Sequence, residues 1–179
     1  MDSFQIDEQS ERAYAIRLEE VVDVSADLVQ TLIEIDLQTF AESTFSPYTA
    51  AAFLKAGRVF LLRANDQIIG TCVCLRSWDR TNEATILSMG LRPGWRGQGL
   101  GQHFVQSVLD RLQERGIRSC CLLVGRENRR ALKLYEEVGF EHVGESEVDA
   151  QNQDVLLLLR IQLSDASQDG AVIELPQGS

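Results

Sequence analysis

The chain has 179 residues, of which 44% are hydrophobic, and a formal net charge of −10. Its length and apolar content allow one sizeable core, which predicts a single compact domain. Because no apolar run approaches the roughly 20 residues of a membrane-spanning helix, and the first ten residues lack the basic and apolar regions of a signal peptide, a cytoplasmic protein is expected.

The N-terminal half predicts a mixture of strands and helices after a loose segment, residues 1–12. Apolar residues alternate along residues 14–22, as in a strand, and Ser25 is placed to cap a helix that continues to about Phe40. A second, shorter helix is predicted over residues 49–55. A hairpin follows, with strands over residues 59–63 and 67–75, and residues 83–91 form the next predicted strand.

The C-terminal half also predicts a mixture of helices and strands. The apolar spacing of residues 102–115 predicts a helix that ends at Gly116 and leads into a strand over residues 117–124. Asn128 caps the next predicted helix, which ends at Gly139. Two more strands are predicted over residues 140–148 and 155–163, and residues 164–179 are expected to be a disordered tail.

The four cysteines lie in two apolar runs, at Cys72, Cys74, Cys120 and Cys121. They form no Cys-x-x-Cys pair, so the sequence indicates neither a zinc site nor a disulfide framework, and no metal is expected. Buried, reduced thiols are the main interpretation. The alternative, Cys120 or Cys121 as a nucleophile, has no histidine in the same runs to support it.

A glycine-rich segment connects a predicted strand to the helix after it. Residues 96–101 read Arg-Gly-Gln-Gly-Leu-Gly. Glycines let a phosphate approach the main chain, and the start of a helix offers unpaired N–H groups. No Gly-Lys-Ser/Thr follows, which excludes a P-loop, and the mid-chain position does not fit a dinucleotide-binding fold. The segment therefore predicts a phosphorylated ligand, with a plain strand-to-helix connection as the alternative.

The distribution of charge supports the same ligand. Residues 92–133 contain nine basic and three acidic side chains, whereas residues 1–55 contain three and eleven, and residues 134–179 contain one and ten. The basic block would attract phosphate, and the acidic flanks argue against nucleic acid, whose binding requires many phosphates to be neutralised. The alternative is that these charges form solvated faces that keep the protein soluble.

Two motifs together resemble a known family. Arg96, Gly99 and Gly101 match the pattern Arg/Gln-x-x-Gly-x-Gly, and residues 128–140 match Asn-x-x-Ala-x-x-x-Tyr-x-x-x-Gly-Phe. Both motifs, in this order and separated by a helix and a strand, are similar to those of the GNAT superfamily of acetyl-CoA-dependent N-acetyltransferases. The resemblance extends over residues 14–163.

The resemblance implies a fold and an activity. The implied fold is α+β in three layers, with a mixed, mostly antiparallel sheet of about six to seven strands flanked by about four helices, in one domain over residues 13–163. The implied activity is the transfer of acetyl from acetyl-CoA to a primary amine by direct attack, without a covalent intermediate. The alternative is a non-catalytic module that binds acyl-CoA as a sensor.

The resemblance also implies which residues bind acetyl-CoA. In this family the strand before the glycine turn pairs with the pantetheine arm like an added strand, and the amides of the turn hold the pyrophosphate. The implied residues are Met89, Gly90 and Leu91 on the strand, Arg96, Gly97, Gln98, Gly99, Leu100, Gly101 and Gln102 at the turn, and Asn128. Gly90 is expected to allow a close approach, and Asn128 is equally compatible with a plain N-cap.

Two residues are predicted to assist the chemistry. Tyr135 matches the family's usual candidate acid for the coenzyme A sulfur, with a core aromatic as the alternative. Glu83, thirteen positions before Arg96, resembles the catalytic glutamate of the histone-acetylating branch, with a solvated strand-end residue as the alternative. Glu42 and Glu127 are weaker candidates for the base.

The layout looks most like the branch that acetylates the N-termini of ribosomal proteins, with one departure. Those enzymes often carry a glutamate on the strand after the long helix, where this chain has Leu123. The acidic residues around the first helices, such as Glu34, Asp36 and Glu42, favour a cationic acceptor, which would be a small amine, a peptide or a protein. A homodimer is also expected, by analogy with the family.

Overall fold

The computed structural model describes residues 3–4, 14–40, 45–146 and 155–163. These residues form one sheet and four α-helices. The strands are β1 (Ser3–Phe4), β2 (Tyr14–Glu20), β3 (Arg58–Ala64), β4 (Gln67–Arg76), β5 (Glu83–Leu91), β6 (Ser119–Gly125), β7 (Glu141–Ser146) and β8 (Leu156–Gln162). The helices are α1 (Ala26–Phe40), α2 (Pro47–Ala56), α3 (Leu100–Glu114) and α4 (Arg129–Val138).

The expected fold class is confirmed, and most element ends lie within two residues of their predicted positions. Helix α2 begins two residues early because Ser46 caps it, with the Thr49 amide donating to the Ser46 hydroxyl at 3.1 Å. Helix α3 begins at Leu100, directly after a left-handed Gly99. The short strand β1 was not predicted. The rest of residues 1–12, and the expected tail over residues 164–179, lie outside the described residues.

The strands are arranged in the order β1-β2-β3-β4-β5-β6-β8-β7. Neighbouring strands are antiparallel except for β5 and β6, which are parallel. Because parallel strands need a crossover connection, helix α3 runs between them and packs on the sheet. The carboxyl ends of β5 and β6 therefore lie at the same edge, next to the starts of α3 and α4.

The sheet separates two hydrophobic clusters. Alternate residues of β3, such as Phe60 and Leu62, join the cluster under α3 and α4, while Val59 and Leu61 join the cluster under α1 and α2. We call these two sides the α3–α4 face and the α1–α2 face. Phe104 of α3 and Leu32 of α1 are each at most 2% exposed, so both layers are firmly packed.

Strands β5 and β6 separate halfway along their length. They pair only from Glu83 with Ser119 to Ile86 with Leu122. At the next position β5 contains a bulge, since Cys74 of β4 pairs with Ile86 and Val73 pairs with Ser88, which leaves Leu87 as the extra residue. A bulge bends its strand, so β5 turns away with β4 while β6 continues beside β8. We call the gap between residues 87–91 of β5 and 123–125 of β6 the fork.

Candidate active site

The glycine turn lies directly after the β5 arm of the fork. Gly97 and Gly99 have φ angles of 81° and 78°, a left-handed conformation that favours glycine. Within the described residues, the first amide after Arg96 that donates to a main-chain oxygen is that of His103, which bonds the Gly99 carbonyl at 3.2 Å. The amides of residues 97–102 thus remain available at a helix N-terminus, an arrangement that binds anions.

The side chain of Arg96 connects this turn to the neighbouring elements. Its Nε donates to the Leu91 carbonyl at 2.8 Å, and its Nη2 donates to the Gln38 carbonyl at 2.7 Å. Gln38 lies in the last turn of α1, whose carbonyls attract a cation, and α1 has no basic residue of its own there. Burial, and then the charge of Arg130, lowers the pKa of Arg96. Arg96 therefore fixes the end of α1 against the end of β5.

The β5 arm offers one free edge to the fork. Met89, Gly90 and Leu91 pair with β4 on one side, while their other edge has no β6 partner. Strand residues direct main-chain groups to both edges, so this edge can accept an added strand. Gly90 has a second neighbour besides the expected cofactor, whose close approach stays a prediction. A Cβ there would lie 2.3 Å from the Thr39 hydroxyl, so its lack of a side chain makes room for α1.

Helix α4 begins on the other side of the fork. The Ala131 amide donates to Asn128 Oδ1 at 3.1 Å, so Asn128 is an N-cap, as one of its two predicted roles required. Tyr135, two turns further on, is buried on the α3–α4 face, with its ring edge-on to Phe140 at 5.5 Å. Burial, and to a smaller extent the nearby Cys72 and Cys120 thiols, raises the pKa of Tyr135 above its ordinary value.

The site consists of three features. Two parallel strands separate at the fork, an amide-rich turn follows one arm, and a capped helix follows the other. A model of the acetyltransferase (GNAT) family matches residues 26–140, which include all of these features. The chain belongs to the acetyltransferase (GNAT) family. The expectation of an acetyl-CoA-dependent N-acetyltransferase is thereby confirmed.

Several GNAT proteins are similar to this one over most of its length. The [ribosomal protein bS18]-alanine N-acetyltransferase of Haemophilus ducreyi is 27% identical over 124 residues, which are 65% of this chain and 83% of that protein. The crystal structure of the ribosomal-protein-S18-alanine N-acetyltransferase from Escherichia coli has a TM-score of 0.72 at 20% identity, and the match covers 87% of this chain and 98% of that one. A Bacillus subtilis acetyltransferase crystallised with CoA has a TM-score of 0.67 at 17% identity, over 84% and 100% of the two chains. These structures share the GNAT fold, and the relatives' names favour an enzyme over a sensor.

Glu83 lies at the closed end of the fork, three residues before β5 and β6 separate. It is 8% exposed. Its Oε2 accepts a hydrogen bond from the Ser119 hydroxyl at 3.2 Å and lies 3.3 Å from nitrogens of both Arg80 and Arg160. Because this carboxylate binds side chains from β6, β8 and the β4–β5 turn, its geometry favours an anchoring role. Of the weaker candidates, Glu127 is exposed and Glu42 lies outside the described residues.

The structure shows a buried carboxylate near the fork, at Asp36. From the sequence, this residue was named only as one of the acidic residues around the first helices. Asp36 of α1 is 1% exposed and accepts a hydrogen bond from the Ser88 hydroxyl, on the β5 arm, at 3.1 Å. A charged residue on the same helical stripe as Leu32 was the signal that could have identified it. Asp36 lies on the α1–α2 face, at the level of the fork.

The cysteines are free and buried, as the sequence predicted. Contact with Cys72 and burial raise the pKa of Cys74 well above its usual value, and burial also raises the pKa of Cys120. A thiol that stays protonated is a poor nucleophile, which argues against Cys120 in that role.

Among the residues that the structure describes, His, Cys, Asp and Glu side chains form no group of three placed to hold a metal ion. No described helix is both long and apolar enough to cross a bilayer.

Proposed function

We propose that this GNAT protein transfers acetyl from acetyl-CoA to the α-amine of a peptide or protein N-terminus. The observation that carries the proposal is the fork, because its open β5 edge leads directly into the amide-rich turn. The relative that matches 65% of this chain is named [ribosomal protein bS18]-alanine N-acetyltransferase, which supports a polypeptide acceptor. A cytoplasmic location and a homodimer stay predictions.

Each part of the site has a proposed role in binding. The amides of residues 97–102 hold the pyrophosphate, and the free edge of Met89, Gly90 and Leu91 pairs with the pantetheine arm. The basic block raises the local concentration of the anion. Arg96 positions α1 and β5 around the fork through its bonds to Gln38 and Leu91.

The chemistry requires a proton for the departing sulfur. Acetyl-CoA supplies an activated acetyl group as a thioester. We assign the proton donor to Tyr135, because it matches the family's usual candidate acid and lies on α4 two turns after Asn128. The amine loses a proton to solvent as its bond to the acetyl carbon forms, and Tyr135 regains from solvent the proton that it gives to the sulfur. Holding the amine and the carbonyl in contact distance supplies much of the remaining rate enhancement, so a covalent intermediate on Cys120 or Cys121 is not needed.

A calorimetric titration with acetyl-CoA tests the binding site. Gly99→Glu places negative charge and bulk at the phosphate amides, and we expect the affinity for acetyl-CoA to fall at least about tenfold. Gly116→Glu is the matched control, since Gly116 has a similar φ angle of 82° and lies at the far end of α3. Equal losses in both variants would mean that backbone strain, and not the phosphate site, explains the effect.

Tyr135→Phe tests the chemical step. The substitution keeps the ring contact with Phe140 and removes only the hydroxyl, so acetyl-CoA affinity should be unchanged. We expect kcat for thiol release with a peptide acceptor to fall by about 10² to 10⁴, the usual contribution of a general acid. Saturable acetyl-CoA binding by the wild-type protein without thiol release from any amine would instead support the sensor alternative.

A further inference from the structure

The first residue on each arm of the fork is an exposed leucine. Leu87 on β5 is 43% exposed, and Leu123 on β6 is 46% exposed. Ile86 and Leu122, the last residues that pair, are buried in the cluster under α3 and α4. Because side chains alternate along a regular strand, Leu123 lies on the opposite, α1–α2 face. Leu87 is the extra residue of the bulge, between Ile86 and Ser88, and it lies with Ser88, whose hydroxyl bonds Asp36 of α1, on that same face.

A third leucine extends this surface. Leu158 of β8 pairs with Leu123 and is half-buried on the same face. We call Leu87, Leu123 and Leu158 the leucine floor. Helix α1 packs on β5 just beyond it, where Asp36 bonds Ser88 and Thr39 lies over Gly90. The floor is therefore bordered by α1 on one side and continues to the point where the strands separate.

The position of the floor indicates what covers it. Reaction requires the amine to come within about 3 to 3.5 Å of the thioester carbonyl. Because α3 and α4 cover the α3–α4 face of the sheet while Leu87 and Leu123 are exposed, we place the entry of the amine on the α1–α2 face. The groups attached to the amine then lie against these leucines. An exposed apolar surface beside a polar reaction site is typical of a ligand contact.

We propose that the leucine floor binds an apolar side chain next to the reactive amine, so that the acceptors are peptides with an apolar residue at the first or second position. This inference rests on the proposed function. Leu123 also stands where the ribosomal-protein branch often has a glutamate, so at this position the chain presents an apolar side chain. The preference among acceptor peptides therefore depends on apolar contact between the peptide side chain and the leucine floor. The carboxylate of Asp36 lies nearby on α1.

The test compares kcat/KM for thiol release with peptides of one sequence, whose first and second residues are changed in turn between leucine and serine. We expect the better leucine peptide to exceed its serine counterpart about five- to tenfold, the range for partial burial of one leucine. Leu123→Gln and Leu87→Gln should each reduce this ratio towards one, by lowering kcat/KM for the leucine peptide. Acetyl-CoA affinity should not change in either variant.

Val24→Gln is the control, because Val24 is 45% exposed, close to the value for Leu123, and lies between β2 and α1, away from the fork. It should keep the wild-type preference. Equal rates of thiol release with the leucine and serine peptides would overturn the inference and leave the proposed function intact. If acetyl-CoA releases no thiol with any peptide as acceptor, the proposed function itself is contradicted. A change of oligomeric mass in Leu123→Gln with the preference retained would identify the floor as a contact between copies, and would also overturn the inference.

Discussion

At the scale of single residues, Glu83 shows why spacing alone does not assign a role. Its distance from the glycine turn resembles that of a catalytic glutamate, but its carboxylate lies between Arg80, Arg160 and the Ser119 hydroxyl. Arg80 is only three residues away, but Ser119 and Arg160 belong to strands far along the chain, so no local pattern could predict their contacts with Glu83. A carboxylate held by two guanidinium groups is poorly placed to take a proton from an amine.

We expect Glu83→Gln to change stability much more than catalysis. The variant keeps the side-chain shape but removes the charge that faces two arginines, which should lower the free energy of unfolding by about 1 to 3 kcal/mol. Denaturant unfolding measures this change, and kcat should stay within about threefold of the wild-type value because an anchoring residue does not take part in proton transfer.

Ser119→Ala is the companion variant, because it removes one hydrogen bond to Glu83 and leaves the charges in place. It should destabilise less than Glu83→Gln. A loss of kcat of a hundredfold or more in Glu83→Gln, together with a lost acidic limb in the pH profile, would establish Glu83 as the base and contradict the anchoring role.

At the scale of the elements, local signals predicted most of the framework. The caps at Asn128 and the left-handed glycines at Gly116 and Gly139 fixed helix ends within a few residues, because each acts on its own turn. Residue patterns alone do not predict the fork, and the family resemblance implied that the strand before the glycine turn pairs with the pantetheine arm. The fork depends on parallel pairing that stops at Ile86 and on a bulge at Leu87, and both are properties of register between distant segments.

Gly90 is predicted to admit the cofactor, and the structure shows that its lack of a side chain also makes room for α1. We expect Gly90→Ala to push α1 from β5, since the new Cβ would lie 2.3 Å from the Thr39 hydroxyl and 3.1 Å from its Cβ. Overpacking of this kind costs about 1 to 3 kcal/mol of stability, measurable by denaturant unfolding.

The double variant Gly90→Ala with Thr39→Ala decides between the two roles. Thr39→Ala removes the hydroxyl that would clash, so the double variant should recover part of the stability lost in Gly90→Ala, which a double-mutant cycle detects as coupling. If Gly90 instead makes room for the pantetheine arm, acetyl-CoA affinity should fall in Gly90→Ala and stay low in the double variant.

At the scale of the whole molecule, basic and acidic residues are concentrated in different parts of the chain. The basic part is proposed to bind acetyl-CoA, and the acidic part is predicted to favour a cationic acceptor. The basic block, residues 92–133, includes the glycine turn, the whole of α3 and the start of α4. The acidic block, residues 1–55, includes α1, whose Asp36 reaches the β5 arm from the α1–α2 face. Helix α1 itself contains the acidic residues Asp27, Glu34 and Asp36, and the preference for a positively charged acceptor stays a prediction.

The predicted preference for a cationic acceptor has a salt dependence that tests it. Charges attract over about 30 Å at 0.01 M ionic strength but only about 3 Å at 1 M. Among peptides with the same first two residues, those with lysines further along should have a higher kcat/KM at low salt than those with glutamates. The advantage should shrink steadily as salt is added, while the leucine-to-serine ratio at the first positions stays nearly constant, because apolar contact is not screened. Equal or better rates with the glutamate peptides at low salt would mean that the acidic residues of α1 keep the protein soluble and do not attract its substrate.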